Sequence, residues 1–158
     1  MAKGTPATVA LQKAGVAFTL HEYDYDPNAA RIGMQAADAL GVDPARLLKT
    51  LMAKAGDTVC VLVPSDAEVS LKKLAAAAGA KDAAMLPPAE AERITGYHVG
   101  GISPFGQKKR VRVFVDEAAL AHASIIVNGG RRGLQIELAP ADLVRVLAAR
   151  AADVQTSS

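Results

Sequence analysis

Tryptophan is absent from this 158-residue chain, and aromatic residues of every kind make up only 4%. The core must be assembled from Ala, Val, Leu and Ile, and a broad platform of stacked aromatics for single-stranded nucleic acid is excluded. A single cysteine leaves neither an intramolecular disulfide nor a Cys-rich zinc cluster. An excess of one charge is also missing: 18 Lys and Arg stand against 16 Asp and Glu, a formal net charge of +2. That excludes a general duplex-coating protein but permits a local basic patch. No apolar run reaches the roughly 18 residues of a membrane span, and Lys3-Gly4-Thr5-Pro6 is not the start of a signal peptide. A cytoplasmic protein with no membrane partner is expected.

What is present describes a globular domain. Hydrophobic residues make up 51% and charged residues 22%, a balance incompatible with global disorder. With no repeat and no linker, one domain over residues 1–150 is expected, followed by a flexible tail at 151–158. Thr5-Pro6 pairs an N-cap with proline at the first helical position, and Gly15 ends that helix. Phe18 to Tyr23 alternates like a strand. Lys49 to Ala53 and Thr58 to Pro64 read as strands around Gly56-Asp57, the second apolar enough to be buried on both faces. Helices are expected over Met34–Leu40, Leu71–Ala78, Pro88–Ile94 and Ala139–Ala149. Strands are expected over Val111–Asp116, Ser124–Val127 and Leu134–Leu138. The irregular interleaving predicts an α/β (α+β) fold with a strongly curved, barrel-like mixed sheet and helices outside it.

Candidate chemistry is sparse. Cys60 sits within Val59-Cys60-Val61-Leu62-Val63, where nothing local lowers its pKa, so it reads as a core filler. His21, His98 and His122 have no partners at metal-ligand spacing, and neither metal nor cofactor is expected. The loop Gly100-Gly101-Ile102-Ser103-Pro104-Phe105-Gly106 has three glycines and a proline in seven residues. It fits neither the dinucleotide fingerprint nor the P-loop spacing, yet its composition fixes a conformation that exposes backbone groups. Basic residues follow it at Lys108-Lys109-Arg110 and recur at Arg131-Arg132, a pattern suited to phosphates at an RNA end. Lys49, between Leu47-Leu48 and Thr50-Leu51-Met52, sits at a strand start, from which it either projects into a cleft or stands exposed.

Taken together, these motifs resemble the YbaK family of bacterial aminoacyl-tRNA deacylases, relatives of the prolyl-tRNA synthetase editing domain. The resemblance runs from Thr5-Pro6-Ala7 to about Leu147. It is carried by Tyr23-Asp24-Tyr25-Asp26-Pro27, Leu40-Gly41-Val42-Asp43-Pro44, Lys49-Thr50-Leu51, Thr95-Gly96-Tyr97, Gly100 to Lys109, and Gly129-Gly130-Arg131-Arg132-Gly133-Leu134. It implies that Lys49 is the essential lysine and that Gly101-Ile102-Ser103-Pro104 is the substrate loop. Tyr23, Gly100, Asn128, Gly129 and Gly130 complete the substrate-binding set, with Ser103 offering a hydroxyl contact and no nucleophile. Lys108, Lys109, Arg131 and Arg132 are the residues expected to hold the tRNA. Tyr25, Ile32 and Asn128 depart from the family pattern, where histidine, an aromatic and serine are common.

The implied activity is removal of cysteine from mischarged Cys-tRNA(Pro), with the aminoacyl-tRNA acceptor end as partner and prolyl-tRNA synthetase as a further one in a ternary complex. The implied mechanism is substrate-assisted: the cysteinyl thiol attacks its own ester. A water-using deacylase for alanine or another small residue, and a non-catalytic tRNA- or synthetase-binding module, are the alternatives.

Overall fold

The structure is a computed structural model that describes residues 4–28 and 34–156; Ile32 lies outside the described residues. Helix α1 (Pro6–Lys13) begins where expected: the Thr5 hydroxyl accepts from the Thr8 amide and the Thr8 hydroxyl from the Thr5 amide, closing a capping box. Strand β1 (Thr19–Glu22), helix α2 (Gln35–Leu40) and a 3-10 turn (Pro44–Arg46) lead into the hairpin of β2 (Leu48–Ala55) and β3 (Asp57–Pro64). Helix α3 (Leu71–Ala78), the short strand β4 (Ala84–Met85) and helix α4 (Pro88–Thr95) cross over to β5 (Arg112–Asp116). A 3-10 turn (Glu117–Ala121), β6 (Ile125–Asn128), β7 (Leu134–Leu138), α5 (Pro140–Leu147) and β8 (Arg150–Ala152) complete the chain.

These strands form two sheets, not one barrel-like sheet. The larger has the order β4-β2-β3-β5-β8 and the smaller β1-β7-β6. Within the larger, β2 pairs antiparallel with β3 and β4, whereas β3–β5 and β5–β8 are parallel. A single parallel bridge, Leu47 to Ile126, joins the sheets just before β2. The expected mixed α/β character therefore holds, but among the described residues the strands do not close into a barrel.

Strand β3 is the centre of the structure because its alternating side chains serve two cores. Cys60 and Leu62 point into the main cluster with Leu48, Met52, Phe105, Val115 and Ile136. Val59, Val61 and Val63 point the other way, against Leu74, Phe114 and Val154. A strand buried on both faces reads as an unbroken apolar run, and this one does.

Residues 151–156, the described part of the segment expected as a flexible tail at 151–158, pack against the domain. Ala151 and Ala152 lie in β8, paired with Val115 and Asp116. Val154 is fully buried, and its amide donates to the buried Asp116 carboxylate at 3.1 Å. Gln155 Nε2 donates to the same carboxylate at 2.6 Å, and the Ser70 amide donates to the Val154 carbonyl at 2.7 Å. An apolar residue at 154 with a buried acceptor waiting opposite outweighs the polar composition around it.

On the smaller sheet, Glu137 gathers three donors: Ser124, His21 at 2.7 Å and Arg46 at 3.1 Å. The Ser124 hydroxyl first, then His21 and Arg46, hold its carboxyl down at about 2, against an ordinary value of 4.5. A carboxyl whose pKa falls on folding contributes stability above its unfolded pKa and loses it as pH drops toward the folded value. Glu137→Gln is expected to cost about 1–2 kcal/mol at neutral pH. Urea unfolding at pH 7, 4.5 and 2.5 checks this: the difference between wild type and variant shrinks as pH falls, and a constant difference contradicts the assignment.

The Lys49 cleft as candidate active site

Among the described residues, backbone pairing covers the outer edge of β2 at two places. Leu47 bridges to β6 at one end, and Ala53 and Lys54 pair with β4 at the other, where the Leu86 amide also reaches the Met52 carbonyl at 3.1 Å. A cleft of about 350 Å³ opens along the stretch between them, within the size range of ordinary ligand sites. Residues 48–52 form its floor, and Tyr23, Tyr25, Val99, Gly100, Ile102, Asn128 and Gln135 contribute from the smaller sheet and the glycine-rich loop.

Lys49 is held at the start of β2 opposite Val63, with its side chain 27% exposed and Nζ 3.9 Å from Glu68. Glu68 is itself 82% exposed, so the pair is loose and leaves the ammonium available. Burial, followed by the neighbouring Tyr25, raises the pKa of Tyr23, which keeps its phenol a neutral donor. Tyr25 is backed by the Arg132 guanidinium, 5.1 Å from the ring centre. Met85 and Val99, both substantially exposed, give the mouth of the cleft an apolar rim.

Two polar atoms here were not singled out in the sequence. The Thr50 hydroxyl oxygen and Gln135 Oε1 are buried and lack a hydrogen-bond partner among the described residues, and both residues line the cleft. Buried polar atoms are normally paired, so two orphans in one cleft mark places for ligand groups. A signal existed for Gln135, a polar residue in the otherwise apolar run Leu134-Gln135-Ile136. Thr50 offered only its position beside Lys49.

Of the expected substrate residues, the structure brings Lys49, Tyr23, Gly100, Ile102 and Asn128 to one cleft. Asn128 is a brace: its Nδ2 donates to the Gly100 carbonyl at 3.2 Å and its Oδ1 accepts from the Gly130 amide at 2.7 Å. Ser103, expected to offer a hydroxyl contact, is not among the described lining residues of the cleft. Ser103 is fully buried, and its hydroxyl accepts from the Phe105 amide at 3.2 Å inside the loop. Gly101 is small because protein occupies the space beside it; a Cβ there would lie 2.8 Å from the Arg131 backbone. Pro104 faces a separate pocket near α1. Gly129 packs against Leu134, while Gly130, Arg131 and Arg132 border a neighbouring depression with His98. Arg131 is paired with Glu22 at 3.3 Å. Lys109 lines a different depression altogether, and Lys108 is anchored beside it, its amide donating to the Thr95 carbonyl at 2.8 Å.

Cys60 is a core residue, as expected. It is fully buried, and that burial pushes its thiol up to about 12. Among the described residues that line the Lys49 cleft there is no His, Cys, Asp or Glu. Ser65 is there, but its hydroxyl donates to the Pro44 carbonyl at 3.1 Å. The cleft therefore offers a cation, neutral donors and orphan polar atoms, without a nucleophile paired to a base.

The model of the aminoacyl-tRNA editing domain family matches residues 26–146. EbsC of Enterococcus faecalis, named "Putative Cys-tRNA(Pro)/Cys-tRNA(Cys) deacylase", is 36% identical over 138 residues, covering 85% of this chain and 84% of that protein. The proline–tRNA ligase of Caldicellulosiruptor bescii is 32% identical over 114 residues, covering 72% of this chain but 19% of the ligase. A solved structure titled "Crystal structure of a putative trans-editing enzyme for prolyl tRNA synthetase" shares the fold, with a TM-score of 0.84 at 23% identity over 96% of each chain.

Orphan polar atoms cost stability when no ligand fills the cleft. Thr50→Val, which removes the hydroxyl and keeps the shape, is expected to raise the unfolding free energy by about 1 kcal/mol. Urea denaturation of the ligand-free protein measures it. A loss of stability would show that the hydroxyl already has a partner.

Proposed function

Because this chain belongs to the aminoacyl-tRNA editing domain family, we propose that the Lys49 cleft receives the acylated 3′ end of a tRNA and releases cysteine from mischarged Cys-tRNA(Pro), and from Cys-tRNA(Cys) by the same chemistry. The observation that carries this reading is the composition of the cleft: a lysine and a neutral phenol, with no hydroxyl or thiol paired to a base and no carboxylate among its described lining residues. Such a site suits a substrate that brings its own nucleophile. The cysteinyl sulfur attacks the ester carbonyl, the carbon–oxygen bond to the ribose breaks, and the sulfur–carbon bond closes a thiolactone. The thiol proton ends on the departing ribose oxygen, so free tRNA leaves intact.

Each protein group then has a positional task. Lys49 neutralises charge that develops on the carbonyl or leaving oxygen, the role in which fixed electrostatics contribute most. Gln135 Oε1, an acceptor without a partner, suits the substrate ammonium, and the Thr50 hydroxyl suits the ester or ribose. The Gly100–Ile102 backbone walls the aminoacyl group into a reactive conformer; alignment of this kind can supply on the order of 7–11 kcal/mol. Arg131 and Arg132, beside the mouth, meet the terminal phosphates. Selection of tRNA(Pro) comes from a ternary complex with prolyl-tRNA synthetase, in keeping with the likeness to part of that ligase.

Lys49→Ala is expected to lower kcat/KM on Cys-tRNA(Pro) about 100-fold or more, whereas Cys60→Ala stays within a few-fold of wild type. Single-turnover deacylation assays on both variants, with circular dichroism to confirm folding, check this. A folded Cys60→Ala protein without activity contradicts the proposal, as does a fully active Lys49→Ala.

A further inference from the structure

Arg46, Lys49, Lys73, Arg93, Arg131 and Arg145 each have a carboxylate within 4.0 Å. Lys54, Lys109, Arg110 and Arg112 make no ion pair among the described residues, yet all four line one depression of about 720 Å³. It lies where β2 turns into β3, and Asp57 is the single carboxylate on its lining. Four cations against one carboxylate repel one another and are kept together with Asp57 as their single counter-charge on the lining. In a chain of net charge +2, four cations on one depression are a local concentration of positive charge.

The cations are held by the fold. The Lys109 amide donates to the Ile94 carbonyl at 3.1 Å, which ties the basic run to the end of α4. Arg112 donates from Nη1 to the Ala78 carbonyl at 3.1 Å and lies over the Phe114 ring at 5.5 Å. Lys54 is fixed in β2 by pairing to Thr58 on one side and Ala84 on the other. Lys54 stands five residues along the same strand from Lys49, roughly 17 Å at ~3.3 Å per residue, and the odd spacing turns the two side chains to opposite faces, so the RNA passes around the edge of the sheet. No aromatic side chain lines the depression, so bases find no stacking surface there and phosphates are the groups it fits.

We propose that the depression of Lys54, Lys109, Arg110 and Arg112 is a second, sequence-independent binding surface for the sugar–phosphate backbone of the RNA whose acylated end enters the Lys49 cleft. This deepens the functional reading above and rests on it for the identity of the RNA. The arrangement separates chemistry from grip: one end of β2 meets the ester, and the other holds the stem by charge.

The experiment compares wild type with the Lys54→Gln/Arg110→Gln double variant, both exposed positions. Two readouts are used: deacylation of full-length Cys-tRNA(Pro) and of a short cysteinylated oligonucleotide ending in CCA, and binding of uncharged tRNA across a salt series. The double variant is expected to lose tenfold or more in kcat/KM on full-length tRNA at near-physiological salt, and to stay within twofold on the oligonucleotide. The slope of log K for tRNA against log salt is expected to become shallower by about 2, at ~0.9 per lost phosphate contact. An unchanged slope overturns the proposal, as does an equal loss on both substrates. A variant that binds tRNA normally but no longer associates with prolyl-tRNA synthetase overturns it in favour of a protein-facing surface. If wild type cleaves neither substrate, the deacylase reading fails, while the binding slope still decides whether this surface holds RNA.

Discussion

Strand β2 is paired along its whole length with β3, but among the described residues its outer side is paired only at Ala53 and Lys54, with the Leu47 bridge just before its start. That partial edge is the constraint on which the site depends. A fully paired β2 would leave no cleft, and an unpaired one would expose an aggregation-prone edge. The bridge at Leu47 brings the smaller sheet against β2, so that Tyr23, Asn128 and Gln135 face Lys49 across the gap. The glycine-rich loop closes the remaining side because Gly101 and Gly106 let it lie directly against the Arg131 and Pro6 backbones, where any Cβ would overlap.

The energetic character of the site follows. Orphan atoms at Thr50 and Gln135, a lysine with only a distant, solvent-exposed carboxylate and an apolar rim at Met85 and Val99 are all costs in the empty protein. They are affordable because β3 anchors two apolar clusters around them and because the Glu137 and Asp116 carboxylates fasten the sheet periphery. Unsatisfied groups concentrated in one cleft, against a well-satisfied frame, are the pattern expected where a protein keeps binding capacity for a ligand.

Local signals made much of this legible in the sequence. Capped and glycine-terminated helices, and the apolar run of β3, fall close to their expected bounds because they are set by neighbouring residues. The two shortest strands were missed: Ala84–Met85 and Arg150–Ala152 are too brief to show alternation, and their pairing is supplied by distant partners. The split into two sheets depends on β1 joining β7 across more than a hundred residues, which no local pattern encodes. The motif around Lys49 contains residues that line the cleft, but it could not distinguish them from those that build the structure behind it. Ser103 and Gly101 belong to that structure, whereas Gln135 had to be found by its burial.

The central claim is that the attacking atom belongs to the substrate. Its most direct test is the deacylation rate of cysteinyl-tRNA(Pro) against the same tRNA carrying S-methylcysteine, with the released product identified by mass spectrometry. The account predicts rapid loss of the cysteinyl group as a thiolactone and no acceleration over the spontaneous rate for the methylated form. Equal rates for the two, with free amino acid as the product, would contradict it.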